Sequence, residues 1–252
     1  MKIKYIILVF VFICISCSSE EDSDTILSFK FTHEWDNEVV KAEDFGTIEY
    51  TNAFGNQLSI ERLRYLVSNL RLTKPSGEII TLNNYQLIDL ENESTLNHTP
   101  NKFVKTGTYT NVSFVFGFTN SANIDGAYPD LNSDSWNVPP MLGGGYHYMQ
   151  LDGKYINNIG NEAGYNLHAI RAVNNPGSNP SFPQDTFFEV NLGSLTVSEK
   201  DEITIVMDIA SWFKEPYLWD LNLYNQMLMP NSTAQILMYK NGQNIFHLDA
   251  VE

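Results

Sequence analysis

The sequence predicts an all-β fold, an antiparallel β-sandwich with long irregular loops and at most one or two short helices. Two stretches alternate with a period of 2: Leu27–Trp35, with Leu27, Phe29, Phe31, His33 and Trp35 on one face, and Thr108–Phe118, with Val112, Phe114, Phe116 and Phe118 on one face. Short segments of this kind recur along the chain with turn residues between them, the spacing expected of a sandwich or barrel. Ala53–Asn56 (AFGN) marks a hairpin between strands at Thr47–Thr51 and Asn56–Ile60, and Lys74–Gly77 (KPSG) follows a strand at Leu63–Thr73. Further strands are expected at Glu78–Leu82, Tyr85–Leu90, Tyr146–Leu151, Phe187–Leu192, Glu202–Ile209, Ala234–Tyr239 and Ile245–Leu248, with one short helix around Ala210–Leu221. Two long stretches rich in Asn, Asp, Pro and Gly interrupt them, at Thr119–Gly145 and Ala172–Asp185, and loops of that length in a compact domain are usually functional or disordered.

The first 17 residues read as a leader. Lys2 and Lys4 precede an apolar run that ends in Ile15, Ser16 and Cys17, too short and wrongly flanked for a membrane span. The segment resembles a bacterial lipoprotein signal cleaved before a lipidated Cys17. Residues 18–26 begin SSEEDSD, polar and acidic, and read as a flexible tether to a domain at 27–252; they resemble the acidic export tag of Bacteroidetes surface lipoproteins. Both cysteines, Cys14 and Cys17, lie in the leader, so the mature domain has no disulfide and no thiolate ligand. Its roughly 230 residues suffice to bury about 70% of the unfolded surface in one core.

Without Lys2 and Lys4 the chain carries 13 basic and 30 acidic residues, a formal charge of −17. That argues against nucleic acid and against docking on anionic lipid, leaving the lipid anchor as the membrane contact. The sequence holds no G-x-S-x-G, HExxH, P-loop or dinucleotide motif and no paired carboxylates in a catalytic setting, so the expectation is a binding protein and not an enzyme.

Five histidines are present. Taken on its own strand, His33 is most simply a packed residue hydrogen-bonded to backbone. His147 begins a strand just after the first long loop, and His168 flanks the second. His98 is expected to be exposed and His247 packed. With no cysteine available, two or three imidazoles with oxygen ligands suit Cu(II) or Zn(II), the candidates being His33, His168 and His147, and the Irving–Williams order favours copper. Asp130, Asn132 and Asp134 match the first, third and fifth positions of a calcium loop, although Ser135 replaces the expected glycine and no helices flank the segment; an acidic surface loop is the simpler reading. Of the four tryptophans, Trp212 and Trp219 suit a packed helix, while Trp136 stands in a polar loop before Val138–Pro140.

Several segments, in order, resemble the MbnP-like copper-binding proteins, named for a member associated with methanobactin. They are Phe29–His33 (FKFTH), Tyr50–Leu58 (YTNAFGNQL), Arg62–Leu72 (RLRYLVSNLRL), Gly107–Tyr109, Phe116–Phe118, Gly145–Gly153 (GYHYMQLDG) and Ile203–Ile209 (ITIVMDI), with Arg62–Leu72 the most specific. The resemblance implies a β-sandwich that binds one copper ion through histidines, His33 first and His168 second. It also implies an exported lipoprotein of the outer membrane, on its cell-surface or periplasmic face, that serves copper acquisition or homeostasis. In some relatives a tryptophan is oxidised to kynurenine by a di-haem peroxidase-like (MbnH-like) partner and contributes to copper binding; Trp136 holds the matching place and Trp35 is its rival. Ligation needs neutral imidazoles, so copper binding is expected to weaken below about pH 6.5. The rival reading is a metal-independent sandwich that binds a glycan or an outer-membrane partner, suggested by the aromatic residues in the loops around Trp136 and Phe182.

Overall fold

The computed structural model describes residues 23–249. The leader, Cys17 and the start of the tether lie outside the described residues. The folded part begins before Leu27: Asp24–Thr25, expected in the tether, pair antiparallel with Val104–Lys105.

Nine strands carry the architecture: β1 Ser28–Trp35, β2 Arg62–Thr73, β3 Ile79–Asp89, β4 Asn111–Phe116, β5 Met149–Ile156, β6 Glu162–Ala169, β7 Phe188–Asn191, β8 Glu202–Asp208 and β9 Phe246–Leu248. Three α-helices accompany them, α1 Glu93–Leu96, α2 Pro129–Ser133 and α3 Ser232–Asn241, of which only the last exceeds one or two turns.

The larger sheet is organised around the long β2. One edge of β2 pairs with β3, and the other with β5 along its first half and β4 along its second. β4 continues to β7, and β5 pairs over its whole length with β6. Tyr50–Thr51 and Gln57–Leu58 form the expected hairpin and join the same sheet through Leu58 and Tyr155. The smaller sheet centres on β1, whose β8 partner runs parallel to it while β9 adds antiparallel to β8.

The two sheets meet through aromatic rings. Tyr65 on β2 packs on Phe31 of β1 at 6.4 Å and on Phe246 of β9 at 5.8 Å, and Phe114 of β4 meets Phe246 edge-on at 5.0 Å. The β2–β5–β6 register therefore has an inner and an outer face. Tyr65, Met149 and Ala169 lie side by side and are buried, as are Leu63, Leu151 and Leu167. The intervening rows, Arg64–Gln150–His168 and Arg62–Asp152–Asn166, point to the opposite face because successive side chains alternate.

Two further sequence expectations are corrected. Ala234–Tyr239 is helix, not strand: Asn231 Oδ1 accepts from the Ala234 N–H at 3.1 Å to cap the first turn, and Ala234, Met238 and Asn241 recur every three or four residues on the buried side. The helix expected at Ala210–Leu221 is only a 3-10 turn over Ile209–Phe213, capped by Asp208. Pro216, lacking an N–H, stops any extension. Trp212 and Trp219 are nonetheless core residues, as expected.

Candidate metal centre

The outer face of the β5–β6 pair carries the site. His168 projects there from β6, opposite Gln150 of β5. His147 precedes β5, and its ring stands edge-on to that of His168 with centroids 5.4 Å apart and planes at 84°. A third element completes the group: residues 225–230 cross the outer edge of β6, with the Asn166 N–H donating to Asn225 C=O at 2.7 Å. Gln235 of α3 anchors this strap by donating to the carbonyls of Leu228 and His168. Met229, on the strap, places Sδ 3.2 Å from His147 Nε2.

Hydrogen bonds define the free nitrogen on each ring. His147 Nδ1 lies 2.9 Å from the carbonyl of Trp136, which only accepts, so Nδ1 carries the hydrogen and Nε2 the lone pair. His168 Nε2 lies 2.8 Å from Asp152 Oδ1, so its Nε2–H donates and Nδ1 is the free donor atom of the neutral ring. Asp152 is itself held by Asn166 Nδ2 at 2.7 Å and Arg62 Nη1 at 3.1 Å. Backing of this kind is how metal-ligating imidazoles are oriented. A thioether has no hydrogen to offer, so His147 Nε2 and Met229 Sδ are two Lewis bases facing each other, an arrangement suited to a shared soft cation.

Burial of His147 lowers its pKa to about 4, against a smaller raising effect of its bond to Trp136; the neighbouring His168 and Arg64 lower it further. The ring is therefore neutral and ready to ligate at neutral pH. Burial alone would raise the Asp152 pKa, but the hydrogen bond and charge of His168, together with Asn166 and Arg62, hold it below the usual carboxylate value. Asp152 is thus an anion behind His168.

Trp136 joins this group. It is fully buried, its ring centroid is 5.6 Å from that of His147, and the Arg64 guanidinium lies 5.0 Å from the centre of its ring. Its indole N–H has no hydrogen-bond partner among the described residues. Trp35 is elsewhere, buried between Tyr50 and Phe213 on the inner side of the smaller sheet.

His33 is not brought to this site. It is buried on the inner face of β1, its ring 5.7 Å from that of Tyr65, and Tyr65 belongs to the inner row of the larger sheet. His168 belongs to the outer row, so the sheet itself separates the two histidines. His33 makes no hydrogen bond through either ring nitrogen, and burial lowers its pKa to about 3. Of the three expected ligands His33, His168 and His147, the fold brings His147 and His168 together and leaves His33 on the other side of the larger sheet.

Asp130, Asn132 and Asp134 do not form a loop around a common centre. Asp130 and Asn132 lie in α2, where side chains two residues apart point to nearly opposite sides. Asp130 accepts from Tyr85 O–H at 2.8 Å, and Asn132 Oδ1 accepts from Tyr146 O–H at 2.8 Å. His98 is half-buried beside Phe29 and His247 is exposed, the reverse of what their surroundings in the sequence suggest. The aromatic residues that suggested a glycan surface are also occupied: Trp136 is enclosed, and the Arg171 guanidinium covers the Phe182 ring at 3.6 Å.

Sequence reasoning missed Met229 and Asp152. Asp152 was visible in the alternation of Gln150 and Asp152 along the strand; Met229 lies more than 60 residues from His168 in sequence and leaves no local pattern. Among the described residues no three His, Cys, Asp or Glu side chains are placed to hold a metal ion, because the donor next to the histidines is sulfur.

A family model for MbnP matches residues 24–233. The solved structure of MbnP from Methylosinus trichosporium superposes with a TM-score of 0.58, covering 90% of this chain and 99% of that one at 14% identity, a likeness that shows a shared fold. No curated protein matches the chain. The match spans nearly all of the folded chain, from the first paired strand into α3, and the chain is a member of the MbnP family.

Proposed function

We propose that this protein is an exported copper-binding lipoprotein, anchored at the outer membrane through Cys17, that captures one copper ion at His147 and His168 for copper acquisition or homeostasis. The observation that carries the reading is the pair of lone-pair nitrogens, each fixed by a hydrogen bond behind it, beside a facing thioether. The donor set fits copper: imidazole and thioether nitrogen and sulfur ligands, with no carboxylate among the free donors.

Trp136 is the residue to examine for conversion to kynurenine by a di-haem peroxidase-like partner. Its ring touches His147 and its carbonyl holds that histidine, so chemistry on this indole would alter the copper site directly. Peptide mass spectrometry on protein from the native host tests this, and an unmodified Trp136 would remove the idea.

Copper titration tests the main reading. The wild-type chain from Ser18 onward should take up one equivalent. His147→Ala and His168→Ala should each lose it, and His33→Leu should retain it. Equal uptake in all four would overturn the assignment.

A further inference from the structure

The methionines are not distributed as core filler alone. The chain has seven: Met1 lies in the leader, and Met149, Met207 and Met238 are fully buried. The other three, Met141, Met227 and Met229, converge from two separate segments on one groove of about 410 Å³ that also contains His168. Met229 is the innermost, with its sulfur against His147. Met141 and Met227 are 57% and 79% exposed, so packing explains neither. An apolar cover would be served as well by leucine; what methionine adds is a polarizable sulfur on a flexible arm.

The backbone holds these arms in place. Met141 sits in a 3-10 turn over Pro140–Leu142, entered from Pro139 and closed by Gly143 at φ +100°. Met227 adopts φ +56°, a left-handed conformation that a residue with a side chain adopts only where its surroundings enforce it. The neighbouring strap residues supply that enforcement through the Asn225 and Leu228 carbonyls. No Asp or Glu lines the groove, so it offers no carboxylate to a hard cation.

Thioethers select soft monovalent metal, and they stay ligands at any pH because they do not titrate. We propose that this groove is a thioether-lined entry port for copper, with Met141 and Met227 at its mouth and Met229 as the third ligand beside His147 and His168. The proposal rests on the reading of the two histidines as the copper site and adds a thioether ligand and the entry route.

The test uses the mature chain, anaerobic Cu(I) with bicinchoninate as competitor, and Cu(II) in a parallel titration. Met229→Leu should weaken Cu(I) by about tenfold or more and leave Cu(II) within about twofold. Met141→Leu/Met227→Leu should slow Cu(I) loading while preserving its end point. Ag(I), a diamagnetic probe, should shift the methyl NMR signals of Met141, Met227 and Met229 and leave those of Met149, Met207 and Met238 in place. Unchanged Cu(I) affinity in Met229→Leu, or unmoved methyl signals, would overturn the port. A His147→Ala/His168→Ala variant separates the two claims: if it still binds copper like wild type, the histidine assignment fails, whereas normal Cu(I) binding in the methionine variants alone defeats only the port.

Discussion

Replacing His33 with leucine should stabilise the protein, and more so in acid. The ring is buried and neither nitrogen makes a hydrogen bond, so folding strips water from two polar atoms without compensation. Folded His33 takes up a proton only near pH 3, against 6.5 for the free side chain. Between those values the unfolded chain binds a proton that the folded chain refuses. Stability associated with this ring is therefore complete above pH 6.5 and falls as the pH drops toward 3, by about 1.4 kcal/mol per unit. At pH 4.5, two units into that window, wild type should have lost roughly 3 kcal/mol through His33, a large share of a typical domain's stability. Urea denaturation of wild type and His33→Leu at pH 7.5, 6 and 4.5 measures this. The variant should be at least as stable at pH 7.5, and the gap should widen as pH falls. Parallel stability curves would refute the reasoning, because they would mean that the ring reaches a partner or solvent in the folded state.

Asp152→Asn should lower copper affinity by about tenfold or more with little change in fold, because the carboxylate orients His168 and strengthens it as a donor; competition with a chelator reads this, and unchanged affinity would remove Asp152 from the site. Gly153→Ala should destabilise by about 3 kcal/mol or more, since an added Cβ would stand 2.0 Å from the Ser59 carbonyl oxygen and 2.7 Å from the Tyr165 ring; a thermal melt within a degree or two of wild type would contradict it.

The sandwich was legible where alternation was uninterrupted. β1 and β4 bury the face read from sequence, and β2 and β8 lie within a residue or so of their expected bounds. β6 is not among the strands expected from the sequence although Tyr165, Leu167 and Ala169 alternate with Asn166 and His168; the two glycines and several Asn residues of Ile156–Gly164 just before it mask the pattern. That omission hid the site. Once β6 pairs with β5, the register sets His168 in the same row as Arg64 and Gln150 and on the opposite face from Tyr65. Alternation in the first strand already set His33 on its buried face, but that His168 looks out on the far side of the larger sheet is a tertiary property, fixed only by the β5–β6 register. α3 was misread as a strand because Ala234–Tyr239 is mostly apolar and shows neither period clearly; the Asn231 cap was the available signal.

The most direct measurement is an anomalous difference map at the copper edge from crystals of the copper-loaded protein. One peak should lie between His147 Nε2 and His168 Nδ1, within bonding distance of both and next to Met229 Sδ. A peak at His33, or none near the His147–His168 pair, would contradict the account.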